Sequence, residues 1–147
     1  MHIKSRLLSH LKEANIHIGR LKETLKVLNN YYPIDNEKTD ILKDKLDVLA
    51  FRFAKLQDLI GNKIFREYLE TIEFPTEGKN FLELLKELEK EDIVNIDRWS
   101  ELRSARNSIA HDYPYEEDDK IEAINYLIVN IPYLMIIVEK IENEINK

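Results

Sequence analysis

The chain predicts an all-α fold, an antiparallel bundle of about five helices, and three observations carry that reading. Two long stretches repeat apolar residues at alternating spacings of four and three, the 3.5-residue period of a helix packed along one seam. Only three Gly and four Pro occur in 147 residues, too few turn formers for a fold of many short strands. Hydrophobic residues make up 44% and charged residues 34%, the balance of a soluble helical bundle. The length suits one domain over residues 1–147, with room for a hydrophobic core.

The first helix is predicted from about residue 3 to 30, with Leu7, Leu11, Ala14, Ile18, Leu21, Leu25 and Leu28 forming its seam. Pro33 closes the connection, and Asp35 or Asn36 can cap the next helix. That second helix is predicted from about 37 to 72 on Leu42, Leu46, Leu49, Phe53, Leu56 and Ile60, with Gly61-Asn62 placed to bend or interrupt it. Phe74-Pro75-Thr76-Glu77-Gly78 reads as a loop, and Phe81 to Leu88 as a short third helix. Asn95 or Asp97 can start a fourth, with Trp99, Leu102, Ala105 and Ile109 on its apolar side. Pro114 biases Tyr113 away from helical geometry, so this helix is expected to end near His111. Glu116 to Asp119 suit the first turn of the last helix, where the macrodipole favours carboxylates. Ile121, Ile124, Leu127, Ile131, Leu134, Val138 and Ile141 make that helix strongly amphipathic, and Pro132 is expected to kink it. Its apolar surface is broad enough to leave some for a second copy, so a homodimer is expected.

The chemistry concentrates in Arg106-Asn107-Ser108-Ile109-Ala110-His111-Asp112-Tyr113. An arginine holds phosphate with a planar, always-charged fork, and a histidine is the side chain best suited to move protons near neutral pH. Together they can cleave a phosphodiester without metal. Asn107 lies one turn before His111 and can orient its ring. Taken singly, these residues have ordinary explanations: a surface ion pair for Arg106, a helix-terminal cation for His111 and packing for Tyr113. The joint spacing is what singles them out. With seven Arg and four His, Arg-x4-His-x-Tyr arises by chance in about one such chain in a hundred.

This run resembles the R-x4-H-x-Y motif of the HEPN superfamily, in the form carried by HepT toxins of HepT/MNT toxin–antitoxin pairs. Asp47 to Asp58 is similar to the second helix of HepT-like proteins, so the resemblance spans most of the chain. It implies an up-and-down helical bundle and a metal-independent endoribonuclease acting through a composite site at a dimer interface. Arg106 and His111 are the implied catalytic pair, with His111 transferring protons and Arg106 stabilising the phosphate. In such pairs the antitoxin is a minimal nucleotidyltransferase that transfers AMP from ATP onto the tyrosine, which here is Tyr113. The implied partners are thus RNA, as tRNA or mRNA, and an MNT-type antitoxin. Other HEPN-type proteins lack ribonuclease activity and serve as binding subunits of a nucleotidyltransferase, which gives the second implied role.

Net charge sets a condition on any RNA-cleaving role. At −6 the chain lacks the overall basic balance of sequence-independent nucleic-acid binders, so positive charge must be local. Arg103 and Arg98 beside Arg106, together with Arg52 and Lys55, are the candidates. Carboxylates gather elsewhere, in Glu83 to Asp92 and Glu116 to Asp119. No cofactor is expected, because there is no Gly-rich phosphate loop, paired-carboxylate metal signature or nucleophile elbow. His10 and His17 share one side of the first helix and read as solvent-facing or seam-edge residues rather than metal ligands. The absence of Cys fits a cytoplasmic protein. No 18-residue apolar run and no apolar leader is read, so neither membrane insertion nor export is expected.

Overall fold

The computed structural model describes residues 2–110 and 117–147. These residues form α1 (Ile3–Leu28), α2 (Asn36–Ile41), α3 (Lys43–Leu59), a π-helical turn (Ile60–Ile64), α4 (Phe65–Thr71), α5 (Phe81–Lys90), α6 (Ile96–Ala110), α7 (Glu117–Asn130) and α8 (Pro132–Ile145), with no strand among them. Because α2 to α4 follow one another almost without interruption, and α7 leads into α8 through Ile131, the elements group into five rods.

Cross-helix pairs fix the directions. His10 meets Glu67 while His17 meets Arg52, so α1 and the α3–α4 rod run antiparallel. Arg106 meets Asp58 while Trp99 lies against Gly61, which sets α6 antiparallel to that rod. Glu101 pairs with Tyr126 and Asn95 with Tyr133, reversing direction again for α7–α8. Asn15 reaches Glu142, and Ile34 exchanges two hydrogen bonds with Asn125, which closes the bundle back onto α1. This is the antiparallel bundle that the two seams predict.

The seams become the core. Leu7, Leu11, Ala14, Ile18, Leu21, Leu25 and Leu28 are all buried, as are Leu42, Leu46, Leu49, Phe53, Leu56 and Ile60. They join Leu127, Ile131, Leu134, Ile137 and Ile141 in one hydrophobic cluster. Burying each such side chain stabilises the fold by about 1.5–3 kcal/mol relative to exposure.

The long second helix is broken twice. Leu42 sits at the junction of α2 and α3 with φ −99° and ψ 12°, outside helical geometry. The π turn then falls where Gly61-Asn62 marks the sequence. A π turn inserts one extra residue and shifts the apolar face, so that Ile64, Phe65, Tyr68 and Leu69 continue the burial after Ile60. Gly61 is required by a close approach. A Cβ there would lie 3.0 Å from the Trp99 ring, which itself packs on Phe65 with ring centres 4.9 Å apart.

Local signals explain the element ends. The Asp35 side chain accepts from the Lys38 N–H, and the Asn95 side chain accepts from the Arg98 N–H at 3.0 Å, so Asn95 rather than Asp97 caps α6. Asn80 and Glu83 form a reciprocal capping box on α5. Both α4 and α5 end in Schellman turns, with Glu73 and Asp92 at positive φ. In these turns the Phe74 N–H donates to the Leu69 carbonyl and the Ile93 N–H to that of Leu88. Pro132 falls inside the α7–α8 rod as expected: Ile131 keeps helical φ −53° and ψ −38°, its N–H donates to the Leu127 carbonyl, and the ladder is interrupted at the proline, which brings no N–H.

One expectation needs correction. Taken together, Asp119–Ile145 is long and apolar enough to cross a membrane, with a mean hydropathy of 1.8 over its most apolar window. The interrupting Glu122, Asn125 and Asn130 hide that run from a search for unbroken apolar residues. Half of that window is buried inside the bundle, and a helix that packs in a core carries the same length and apolar composition.

Candidate functional site

Arg106 lies one turn before the end of α6, on the side facing α3. Its Nη2 donates to Asp58 Oδ2 at 2.9 Å. The two side chains are 34% and 46% exposed, so solvent screens the pair and its net stabilisation is below ~1 kcal/mol. Its main effect is to orient the guanidinium. Arg106 Nε is buried and finds no acceptor among the described residues. On the adjoining α3 turn the Gln57 side chain is buried, and its amide also lacks a partner among them. Asn107 and Arg103 are exposed on the same helix. His111 and Tyr113 lie outside the described residues, as does any contact between Asn107 and His111.

Arg106 lines a groove of about 570 Å³ between the α2–α3 rod and the α6–α7 pair. Lys43 and Lys120 line it as well, and its apolar wall includes Ala50, Phe51, Ile109 and Ile124. A second groove, of about 430 Å³, runs between α1 and α3 and includes Arg20, Lys45, Val48 and Arg52. Phe51 belongs to both grooves and separates them.

The cations expected to gather around the motif divide instead. Arg52 turns toward α1, where its Nη1 lies 3.1 Å from His17 Nδ1, while Asp58 turns toward α6. Residues six apart are displaced by about 120° around a helix axis, so Arg52 and Asp58 serve different neighbours. Lys55 is exposed between them, 5.5 Å from the Phe51 ring centre. Arg98 is also taken: its guanidinium stacks 3.9 Å from the centre of the Tyr133 ring at the far end of α6. Of these candidates Arg103 is exposed on the same helix as Arg106.

Titration shifts separate structural from available groups. Tyr126 is pushed up to about 12 by burial and by its 3.0 Å hydrogen bond to Glu101, so it stays protonated near neutrality. Burial also raises Tyr133, whose oxygen accepts from the Asn95 N–H at 2.6 Å. Burial, then the charge of Arg52, lowers His17, which keeps its Nδ1 lone pair as the acceptor for that guanidinium. His10 bonds to Glu67 at 2.7 Å, so the two histidines of α1 face different partners. Among the described residues no three His, Asp or Glu side chains gather as a metal site.

Phe51 is the residue to which the sequence assigned no role in the site, and Asp58, expected on one charged face with Arg52 and Lys55, turns away from Arg52 to pair with Arg106. The signal for Phe51 was available: it lies off the Leu49–Phe53–Leu56 seam, where a large apolar residue has no core to fill. No protein-family model, curated protein or solved structure matches the chain.

Proposed function

We propose that this chain is a HepT-like HEPN toxin, a metal-independent endoribonuclease acting as a homodimer and neutralised when an MNT-type nucleotidyltransferase AMPylates Tyr113. The observation that carries the reading is Arg-x4-His-x-Tyr in the sequence, with its Arg106 half-buried on α6 in a groove of about 570 Å³.

In the proposed reaction a base takes the proton of a ribose 2′-hydroxyl, and the 2′ oxygen attacks the adjacent phosphorus. The bond from phosphorus to the 5′ oxygen breaks, and an acid protonates that oxygen. Products are a 2′,3′-cyclic phosphate and a 5′-hydroxyl. Arg106 stabilises the charge on the phosphorane, and His111 supplies base and acid from two protomers across the dimer. Phosphate must compete with Asp58 for the guanidinium. AMP on Tyr113 would bring negative charge and bulk to the end of the motif, excluding RNA sterically and electrostatically.

A second reading is a non-catalytic binding subunit of a nucleotidyltransferase. The Arg106–Asp58 pair favours it, because there the arginine serves as a helix-to-helix tie. The deciding experiment is cleavage of tRNA and mRNA in EDTA by the wild type, His111→Ala and Arg106→Ala, with product ends analysed. Cyclic-phosphate ends from the wild type alone are expected. Equal cleavage by His111→Ala would remove the catalytic assignment, and no cleavage by protein bare at Tyr113 would select the binding subunit. Mass spectrometry after coexpression with a nucleotidyltransferase reads the AMP site directly.

A further inference from the structure

Phe51 is 54% exposed on α3, between the two grooves. Its neighbours Leu49 and Phe53 are buried, so the core does not need it. The Arg52 guanidinium and the Lys55 ammonium each lie 5.5 Å from its ring centre. Across the two grooves, six cations stand against three carboxylates, the reverse of the −6 balance of the whole chain. An exposed aromatic ring among cations, between two channels, combines the two elements of a single-strand binder: a π face for a base and charge for the flanking phosphates.

We propose that Phe51 is a stacking platform for one base of single-stranded RNA. Lys55 and Arg52 contact the phosphate on one side, and the strand continues into the groove that holds Arg106. The inference rests on the proposed RNA-cleaving function and adds to it the strand form that the site accepts and the residue that positions it. A protein partner would call for a wider apolar patch, whereas two cations, Arg52 and Lys55, lie against this ring, with Val48 as its exposed apolar neighbour one turn away. Duplex RNA keeps its bases stacked inside and offers none to a side chain on the protein surface.

The test is binding of a short fluorescent 2′-O-methyl oligoribonucleotide, which cannot be cut through its 2′ oxygen, by the wild type, Phe51→Ala, Phe51→Leu, Phe51→Tyr and Lys55→Ala. Phe51→Ala is expected to weaken binding roughly five- to a hundredfold, the range of base–aromatic stacking, without changing its salt dependence. Phe51→Tyr is expected to bind like the wild type. Phe51→Leu is expected to lose affinity, because leucine keeps apolar area but has no π face. Lys55→Ala is expected to flatten the salt dependence by about one phosphate contact. Phe51 is exposed, so thermal unfolding of its variants should match the wild type and exclude misfolding as the cause. If the wild type binds the strand and Phe51→Ala binds equally well, stacking is overturned and the RNA reading stands. If Phe51→Leu binds as tightly as the wild type, the contact is apolar rather than a stack and the proposal fails. If the wild type does not bind, both readings fall.

Discussion

The two halves of α6 face opposite demands. In the first half, Trp99 and Leu102 are buried, Asn95 caps the helix, and Arg98 is stacked on Tyr133. In the second half, Arg103 and Asn107 are exposed, and among the described residues Arg106 is held by a solvent-screened pair with Asp58. The first half spends its polar groups on the fold, while the second leaves cationic groups at a groove. A helix can present reactive side chains at one end because the other end is anchored, and fixed groups need less ordering when a ligand arrives.

Stability and activity should therefore separate along this one helix. The largest effect is expected for Trp99→Ala. The indole is buried, packs on Phe65 at 4.9 Å and Phe81 at 6.3 Å, and fills the space that Gly61 leaves. Its removal should cost about 3–5 kcal/mol, read from urea unfolding. A loss below ~1 kcal/mol would mean that the first half of α6 does not anchor the helix.

Gly61→Ala approaches the same contact from the other side and should cost about 1–3 kcal/mol by overpacking. Alanine's better helix propensity, up to ~1 kcal/mol, opposes this, but a Cβ 3.0 Å from a wedged indole leaves neither partner room to move. The informative measurement is the double variant Gly61→Ala with Trp99→Phe. If the smaller ring recovers none of the loss, the close approach is not what selects glycine here.

The anchoring half was the more legible in sequence. Apolar seams, the Asn95 cap and the Gly61 break are local patterns, and each returned as packing. Leu42 shows where local pattern fails: it belongs to the seam by spacing, yet the chain turns there between α2 and α3. The polar half was legible as a motif but not as an arrangement. Asp58 lies 48 positions from Arg106, and only the antiparallel packing of α3 on α6 pairs them. Arg52 and Asp58 diverge for the same reason, since their partners lie on different helices. Partner choice across helices depends on register and rotation, which seam spacing leaves open.

Asp58→Asn tests the polar half with a smaller effect. Asparagine keeps an acceptor for Arg106 Nη2 and removes the competing charge. Stability should change by less than ~1 kcal/mol, because the pair is exposed. Affinity for RNA should rise severalfold at low salt, and the gain should shrink as salt screens it. Weaker binding would instead make Asp58 a positioning residue that Arg106 needs in charged form.

The smallest expected effect ties the α1 side of Phe51 to pH. Burial first, then the charge of Arg52 with a further contribution from Lys55, holds His17 below its ordinary 6.5, against the pull of Glu13. The unfolded chain therefore binds this proton more readily than the folded one. Stability rises with pH between the lowered folded value and 6.5, is fully present above that window and is lost as pH falls through it. Protonation would also remove the acceptor of the Arg52 hydrogen bond and set two cations 3.1 Å apart. His17→Gln keeps a side-chain oxygen for Arg52 and removes the titration. Urea midpoints for the wild type should drop further than those of His17→Gln as pH is lowered from about 7.5 to about 5.5. All other groups are common to both proteins and cancel in the difference. Parallel curves would mean that His17 and Arg52 are not coupled, and that the arginine beside Phe51 is held by something other than this imidazole.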